Sequence, residues 1–102
     1  MSDPPDHPLR VEHEETPPRG RFKLLDETNV ILGEMTFSRA RDDLIIVDHT
    51  EVDESLRGQH GGKRLFDGMV AWARDTGTKV MATCPFASAM FDRYPESQDV
   101  KA

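Results

Sequence analysis

Residues 57–65 read Arg57-Gly58-Gln59-His60-Gly61-Gly62-Lys63-Arg64-Leu65, and the architecture of the chain can be worked out from them. It follows a β-branched apolar run at residues 44–52 and leads into residues 65–73, whose apolar side chains recur at helical spacing. The N–H groups and the dipole of a helix N-terminus favour an anion, and glycine lets the backbone approach a ligand closely. A strand, a glycine-rich basic loop and a helix start therefore predict a phosphate-binding loop.

Around this loop the chain alternates strand and helix signals. Three apolar segments joined by short polar turns predict an antiparallel meander. A fourth strand after the helix should lie parallel to the third, because strand–helix–strand crossovers are right-handed.

In the first helix Gly77 is placed as the C-terminal cap. Gly68 costs about 1 kcal/mol relative to alanine, which predicts a close packing contact. The fold class is α/β, a small mixed sheet with two helices. The predicted strands are residues 21–25, 30–37, 44–52 and 79–83, and the second helix is 85–94.

Residues 1–19 differ in composition from the rest of the chain. They hold five of the seven prolines and several acids, with only Leu9 and Val11 as aliphatic residues. Such a segment has too little apolar surface to offset the entropy of ordering. We therefore predict a disordered acidic, proline-rich tail at 1–19 and one domain at 20–102, which has room for a single modest core.

Composition also narrows the functional classes. The net charge of −6 argues against a general nucleic-acid binder, and no apolar run reaches the length of a membrane span. One cysteine excludes an internal disulfide framework. We expect a cytoplasmic protein with no signal peptide and with neither nucleic-acid nor membrane partners. His7 and His13 do not form a complete ligand set, so no metal site is predicted.

The glycine-rich loop resembles a known signature. Arg57 and Gly62 match the ends of the pattern Arg/Gln-x-x-Gly-x-Gly/Ala of the GNAT acetyltransferases, with His60 in place of the middle glycine. His49-Thr50-Glu51-Val52 before the loop and Cys84-Pro85-Phe86 after the next strand are similar to a compact single-domain GNAT subfamily. The resemblance implies a minimal GNAT-like fold that binds acetyl-CoA.

The resemblance covers residues 22–100 and implies how the cofactor is held. Main-chain N–H groups of the loop would grip the pyrophosphate of the CoA thioester. An amine would attack the thioester carbonyl, which N–H groups of the preceding strand polarise. Full-length GNAT enzymes carry helices between their first two strands, where this chain has only residues 26–29. We therefore expect an open acceptor side that suits a protein or other large amine. The implied cofactor-binding residues are Val52, Arg57, Gly58, Gln59, His60, Gly61, Gly62 and Lys63.

His60 leaves two conformations of the loop open. If the backbone at this position is not left-handed, no glycine is needed there. If it is left-handed, histidine or Gly61 accommodates it at a cost of roughly 1–2 kcal/mol. In either case the N–H groups that would bind phosphate do not depend on the side chain.

Three residues are candidates for catalysis, in the order Cys84, Glu51, His49. Cys84 precedes Pro85, which suits the first helical position, so Cys84 is predicted at a helix N-terminus that stabilises a thiolate. The alternative is a small buried apolar residue. His49 and Glu51 lie two apart and share one face of a strand, where either could take a proton from an amine. The alternative for them is a strand-end pair that hydrogen-bonds the following loop.

We therefore expect an acetyl-CoA-dependent N-acyltransferase that acts on an amine acceptor. Two other classes remain open. One is a non-catalytic CoA-binding or regulatory module, which keeps the phosphate loop without a productive base. The other is a thiol-based acyl-carrier or redox protein that uses Cys84.

Overall fold

The computed structural model describes residues 9–56 and 58–102. One five-stranded sheet has the order β1-β2-β3-β4-β5, in which the first four strands are antiparallel neighbours and β5 runs parallel to β4. The elements are β1 (Arg10–Thr16), β2 (Arg19–Leu25), β3 (Ile31–Arg41), β4 (Leu44–Val52), α1 (Gly61–Thr76), β5 (Lys79–Ala82) and α2 (Pro85–Arg93), with 3-10 turns at Glu54–Leu56 and Pro95–Val100.

The first strand departs from the sequence prediction. The prediction of a tail over 1–19 is wrong for residues 10–16, because they form β1 and pair with β2 along their full length. The meander therefore has four strands rather than three. Residues 1–8 lie outside the described residues. The first two strands are joined at Pro17 and Pro18, so residues 26–29 connect the second and third strands and not the first two.

A polar and aromatic cluster attaches β1 to the rest of the fold. The His13 ring stacks on Trp72 of α1 with centroids 4.6 Å apart, and its Nε2 lies 3.0 Å from Glu15 Oε1. Arg39 of β3 donates two hydrogen bonds of 2.7 Å to the Glu15 carboxylate. These bonds lower the pKa of the Glu15 carboxyl below its ordinary value, against the opposing effect of burial. Charge-assisted hydrogen bonds and ring stacking thus stabilise β1, which has few aliphatic side chains to bury.

The two helices and the inner face of the sheet share one hydrophobic core. Helix α1 has the predicted amphipathic pattern and ends at Gly77, whose φ of 72° confirms the left-handed cap. The apolar residues that recur at helical spacing are buried, namely Leu65, Phe66, Met69, Val70 and Ala73. Phe66 of α1 meets Phe91 of α2 edge to face, with centroids 5.0 Å apart. The largest fully buried side chains are Phe22, Phe37, Phe66, Phe91, Leu24, Met35, Ile45, Leu65, Met69, Val47 and Val80.

The contact predicted at Gly68 is present, and its partner belongs to the strand that the sequence did not reveal. A Cβ atom at position 68 would lie 2.7 Å from Val11 Cβ of β1. Glycine is therefore needed where α1 crosses β1, because any side chain would push the helix and the strand apart.

We expect Gly68→Ala to destabilise the protein by about 1 kcal/mol, because overpacking against Val11 outweighs the gain of about 1 kcal/mol in helix propensity. Val11→Ala in the same chain should recover part of this loss, since the new methyl group then fills the vacated space. Urea unfolding of the two single variants and the double variant measures the coupling. A higher stability for Gly68→Ala alone would show that β1 does not pack on α1.

Glu15 should also make stability depend on pH. Its pKa in the folded protein lies below the ordinary value of 4.5, so its contribution is complete above that value and is lost as pH falls through the folded pKa. We expect Glu15→Gln to cost roughly 2 kcal/mol at pH 7 and clearly less at pH 3. Glu12→Gln, on the same strand but paired only with Arg10 at the surface, is the control. Equal losses for Glu15→Gln at both pH values would contradict this assignment.

Candidate functional site

The backbone of the loop before α1 is left-handed at His60, which is one of the two conformations left open by the sequence. His60 has φ 59° and ψ 39° and is the N-cap residue, and Gly58 has φ 83°. The carbonyl of His60 accepts the first helical hydrogen bond, from Arg64 N–H at 2.9 Å. The N–H groups of residues 61–63 precede that bond and have no acceptor within the helix. They are the donors that an anion at this helix end would use.

A pocket of about 420 Å3 lies against this helix end. Five of the predicted cofactor residues line it, namely Val52, Gly58, His60, Gly61 and Gly62, together with Asp53, Glu54 and Leu56. Arg57, also predicted there, lies outside the described residues. The remaining two predicted residues, Gln59 and Lys63, are not part of this lining.

The electrostatics of the pocket rest on the main chain rather than on Lys63. The Lys63 ammonium lies 2.7 and 2.9 Å from the two carboxylate oxygens of Asp67 and 4.5 Å from the centre of the Tyr94 ring. The hydrogen bond from Lys63 to Asp67 raises the pKa of the ammonium. Among the described lining residues, Asp53 and Glu54 carry negative charge, so the attraction that this described part offers an anion comes from the helix N–H groups.

Beside the pocket the two parallel strands separate. Pairing of β4 with β5 ends at Val47 and Ala82, because the N–H groups of Thr83 and Cys84 both donate to the Val47 carbonyl, at 2.9 and 3.2 Å. Beyond Val47, β4 keeps only β3 as a neighbour in the sheet.

The alternation of hydrogen bonds in β4 sets the direction of its main-chain groups. The N–H of Asp53 donates to Leu32 O at 2.8 Å, so Asp53 and Leu32 form a hydrogen-bonded pair. In an antiparallel ladder every second residue then points its N–H and C=O away from the partner strand. Thr50 and Val52 therefore direct these groups toward the side that β5 has left.

A β-bulge decides which side chains face the helices. Thr36 pairs with His49 and Phe37 with Val47, so Asp48 has no residue opposite it. The alternation reverses there. Thr50 and Val52 consequently lie on the helix side, where Val52 meets Gly61.

The bulge places His49 and Glu51 on the outer face of the sheet. They share one face, as predicted, and His49 Nε2 lies 3.5 Å from Glu51 Oε1. Their side chains are 62% and 71% exposed. Without the bulge, strict alternation from Val47 would turn both of them toward the core.

Cys84 lies on the opposite side of the sheet. It is the N-cap residue of α2, with Pro85 in the first helical turn, as predicted. Its side chain is buried in the hydrophobic core, and its Sγ is 3.5 Å from Thr50 Oγ1. The three catalytic candidates are therefore not brought into one cluster. Cys84 faces the helix layer, and His49 and Glu51 face outward.

Four further residues belong to the site, although no motif in the sequence assigns them a role there. Thr50 contacts Cys84, and Asp53, Glu54 and Leu56 line the pocket. The available signal was Asp48, a charged residue that follows the apolar run 44–47. A polar residue there marks a position where alternation can change.

The fold agrees with comparisons to known proteins. The sequence model of the GCN5-related N-acetyl-transferase family matches residues 21–100. The chain belongs to this family. Its acetyltransferase character is consistent with a helix N-terminus facing a pocket beside two separating parallel strands. None of the curated proteins matches the chain at a significant level.

Three solved structures resemble the protein. The NMR structure of a GCN5-like protein from Staphylococcus aureus has a TM-score of 0.66 at 32% identity, covering 91% of this chain and 89% of that one. An aminoglycoside acetyltransferase from an uncultured soil metagenomic sample gives 0.57 at 20% identity, over 82% and 59% of the two chains. Nourseothricin acetyltransferase gives 0.51 at 14%, over 87% and 67%. The last two show the shared fold alone.

Residues 9–56 and 58–102 contain neither a metal site nor a membrane-spanning helix. No group of three or more His, Cys, Asp or Glu side chains in this part of the chain could hold a metal ion. No helix in this part of the chain is long and apolar enough to cross a membrane. His7, considered as a metal ligand, lies outside the described residues.

The left-handed backbone at His60 predicts the effect of glycine. We expect His60→Gly to preserve stability or to raise it by up to about 1 kcal/mol, because glycine adopts this conformation without the Cβ penalty. Asn29→Gly is the matched control, since Asn29 has φ 68° in a turn outside the pocket lining. Urea unfolding measures both. A loss of more than about 1 kcal/mol for His60→Gly, with none for Asn29→Gly, would show that the imidazole itself holds the loop.

Proposed function

We propose that this protein transfers an acetyl group from acetyl-CoA to an amine. The observation that carries the proposal is the continuity of the site along β4. Val52 lines the pocket at the N-terminus of α1 and also lies in the part of β4 from which β5 has departed. A thioester anchored by its pyrophosphate at the helix end could therefore extend between the two strands.

The residues of the loop fit CoA. N–H groups at residues 61–63 supply the donors for a pyrophosphate, and Gly58 leaves the backbone accessible, because nothing lies within 4 Å of a Cβ built there.

The chemistry that this arrangement supports is direct transfer. The amine attacks the thioester carbonyl, the N–C bond forms and the C–S bond breaks, and the CoA thiolate leaves and takes up a proton. N–H groups of Thr50 and Val52 point toward the strand gap and would polarise the carbonyl oxygen. His49 or Glu51 on the outer face would accept the proton that the ammonium must lose before it attacks.

Cys84 fits this scheme as a wall of the acyl end rather than as a base-activated nucleophile. Its thiol is buried, contacts the Thr50 hydroxyl, and shares no described hydrogen bond with His49 or Glu51. A thiol carrier would need exchange with outside partners, which this burial opposes. Incubation with acetyl-CoA followed by intact mass measurement separates the two roles. A stable acetyl adduct that disappears in Cys84→Ala would favour the carrier.

A charge reversal at the pocket tests the cofactor assignment. We expect acetyl-CoA at 100 times its dissociation constant to stabilise the fold by roughly 2.7 kcal/mol. Glu54→Lys should tighten binding about two- to fivefold by replacing an acid beside the phosphates. Glu27→Lys, in the turn after β2, changes the net charge equally and should leave the affinity unchanged. Thermal shift and calorimetric titration with acetyl-CoA, CoA and ATP measure this.

Position 54 is a sharper probe than the glycines of the loop. A Cβ at Gly62 would lie 2.6 Å from the Phe86 ring, and one at Gly61 2.7 Å from Val52 Cγ1. Substitutions at these glycines disturb packing and binding together. If millimolar acetyl-CoA gives no shift in melting temperature, or if Glu54→Lys and Glu27→Lys behave alike, the loop is an ordinary helix entry and the proposal fails.

A further inference from the structure

The outer face of the sheet carries a second pocket, across β4 from the cofactor pocket. It has a volume of about 330 Å3, which is in the size range of small-ligand sites. Val52 and Asp53 border both pockets. The second pocket is lined by Arg21, Ile31, Leu32, Gly33, Glu34, Glu51, Val52 and Asp53.

We infer that this outer pocket binds the acceptor, and that the acceptor is a linear aliphatic amine carrying a second positive charge. The inference rests on the proposed function, because it assigns the acceptor of that reaction. It also fits the direction of attack. The outer pocket includes Glu51, which together with His49 faces the side opposite the buried Cys84.

The charges of the pocket favour a dication. Among the described residues that line it, Arg21 is the one cationic side chain, and it is engaged by Glu14 at 2.8 Å and by Glu34 at 3.0 Å. Glu51 has only His49 as an ion-pair partner among the described residues, and the Asp53 carboxylate accepts a hydrogen bond from the Ser55 N–H. The described lining thus carries three carboxylates against one guanidinium, so its net charge is negative. An acceptor with an extra ammonium group meets an attractive potential, and one with a carboxylate is repelled.

The apolar part of the wall favours a methylene chain. Ile31 is 44% exposed at the rim, and the half-buried Leu32 next to it also lines the pocket. A chain of several methylene groups can cover these two residues while its two ends remain polar. Because Glu34 and Glu51 are direct cross-strand partners, the reacting nitrogen would lie between them, and the second ammonium would lie past Leu32, near Asp53.

The experiment compares two amines of similar length. 1,5-Diaminopentane carries two ammonium groups, and 6-aminohexanoate carries one ammonium and one carboxylate. Each is titrated into 15N-labelled full-length protein, and amide chemical shifts are recorded. We expect the diamine to shift amides in residues 31–34 and 51–53, and to bind at least fivefold more tightly than the amino acid. Shifts confined to other regions, or equal affinities, would overturn the inference.

A matched pair of variants isolates the charge. Glu34→Gln removes one carboxylate of the pocket and leaves Arg21 less neutralised, so the diamine should bind about two- to fivefold more weakly and 6-aminohexanoate more tightly. Glu12→Gln removes a carboxylate from the same face outside the pocket and should change neither. Dispersion of the amide spectrum checks that both variants fold. Equal weakening by the two variants would mean that only the general surface charge matters.

The two proposals fail in different ways. A separate titration with acetyl-CoA reports on the amides of residues 58–63, which belong to the cofactor loop. If those amides do not respond, the cofactor assignment fails whatever the diamine does. If they respond but the diamine does not select the outer pocket, the acceptor inference alone is wrong. With both ligands present, the KM for the diamine, and not kcat, should rise in Glu34→Gln.

Discussion

The carbonyl of Val47 limits how far the two parallel strands can run together. It accepts hydrogen bonds from the N–H groups of both Thr83 and Cys84, so β5 ends at Ala82 and α2 begins at Pro85. The remainder of β4 keeps its bonds to β3 and presents its other edge to an open side. Helix α1 begins beside that edge, and the cofactor pocket forms between them. The position of the proposed site thus follows from the point at which β5 ends.

The bulge at Asp48 gives the same strand two different surfaces. Before it, Ile45 and Val47 pack in the core. After it, Thr50 and Val52 take the inward positions, and His49 with Glu51 reach the outer face. A cofactor and an acceptor could then approach one strand from opposite sides. The Asp48 carboxylate itself is bonded by Thr36 and Arg19, which ties the bulge to β3 and β2.

The glycines of α1 allow the helix to pack closely and leave the N–H groups at its start accessible to a ligand. Gly61 lies against Val52, Gly62 against Phe86, and Gly68 against Val11. Because each contact is too close for a side chain, α1 packs closely on the sheet. Its first turn contacts β4 and α2. The same absence of side chains leaves the N–H groups at the helix start accessible. The basic residue expected to help there, Lys63, is instead bound to Asp67, so the anion site depends mainly on backbone geometry.

Elements whose signals lie within one short segment could be predicted from the sequence. The apolar run 44–52, the amphipathic period of α1, the cap at Gly77 and the helix start at Pro85 all lie where they were predicted. The left-handed loop before α1, which we propose binds an anion, also follows from neighbouring residues. The first strand and the bulge in β4 depend instead on tertiary contacts. β1 has few aliphatic residues and is stabilised by Trp72, Arg39 and β2, which are distant in sequence. The bulge depends on pairing with β3, and it alone separates Cys84 from His49 and Glu51. The periodicity of one segment shows which residues share a face of a strand. Whether that face is the core face or the outer face of the sheet depends on pairing with a neighbouring strand.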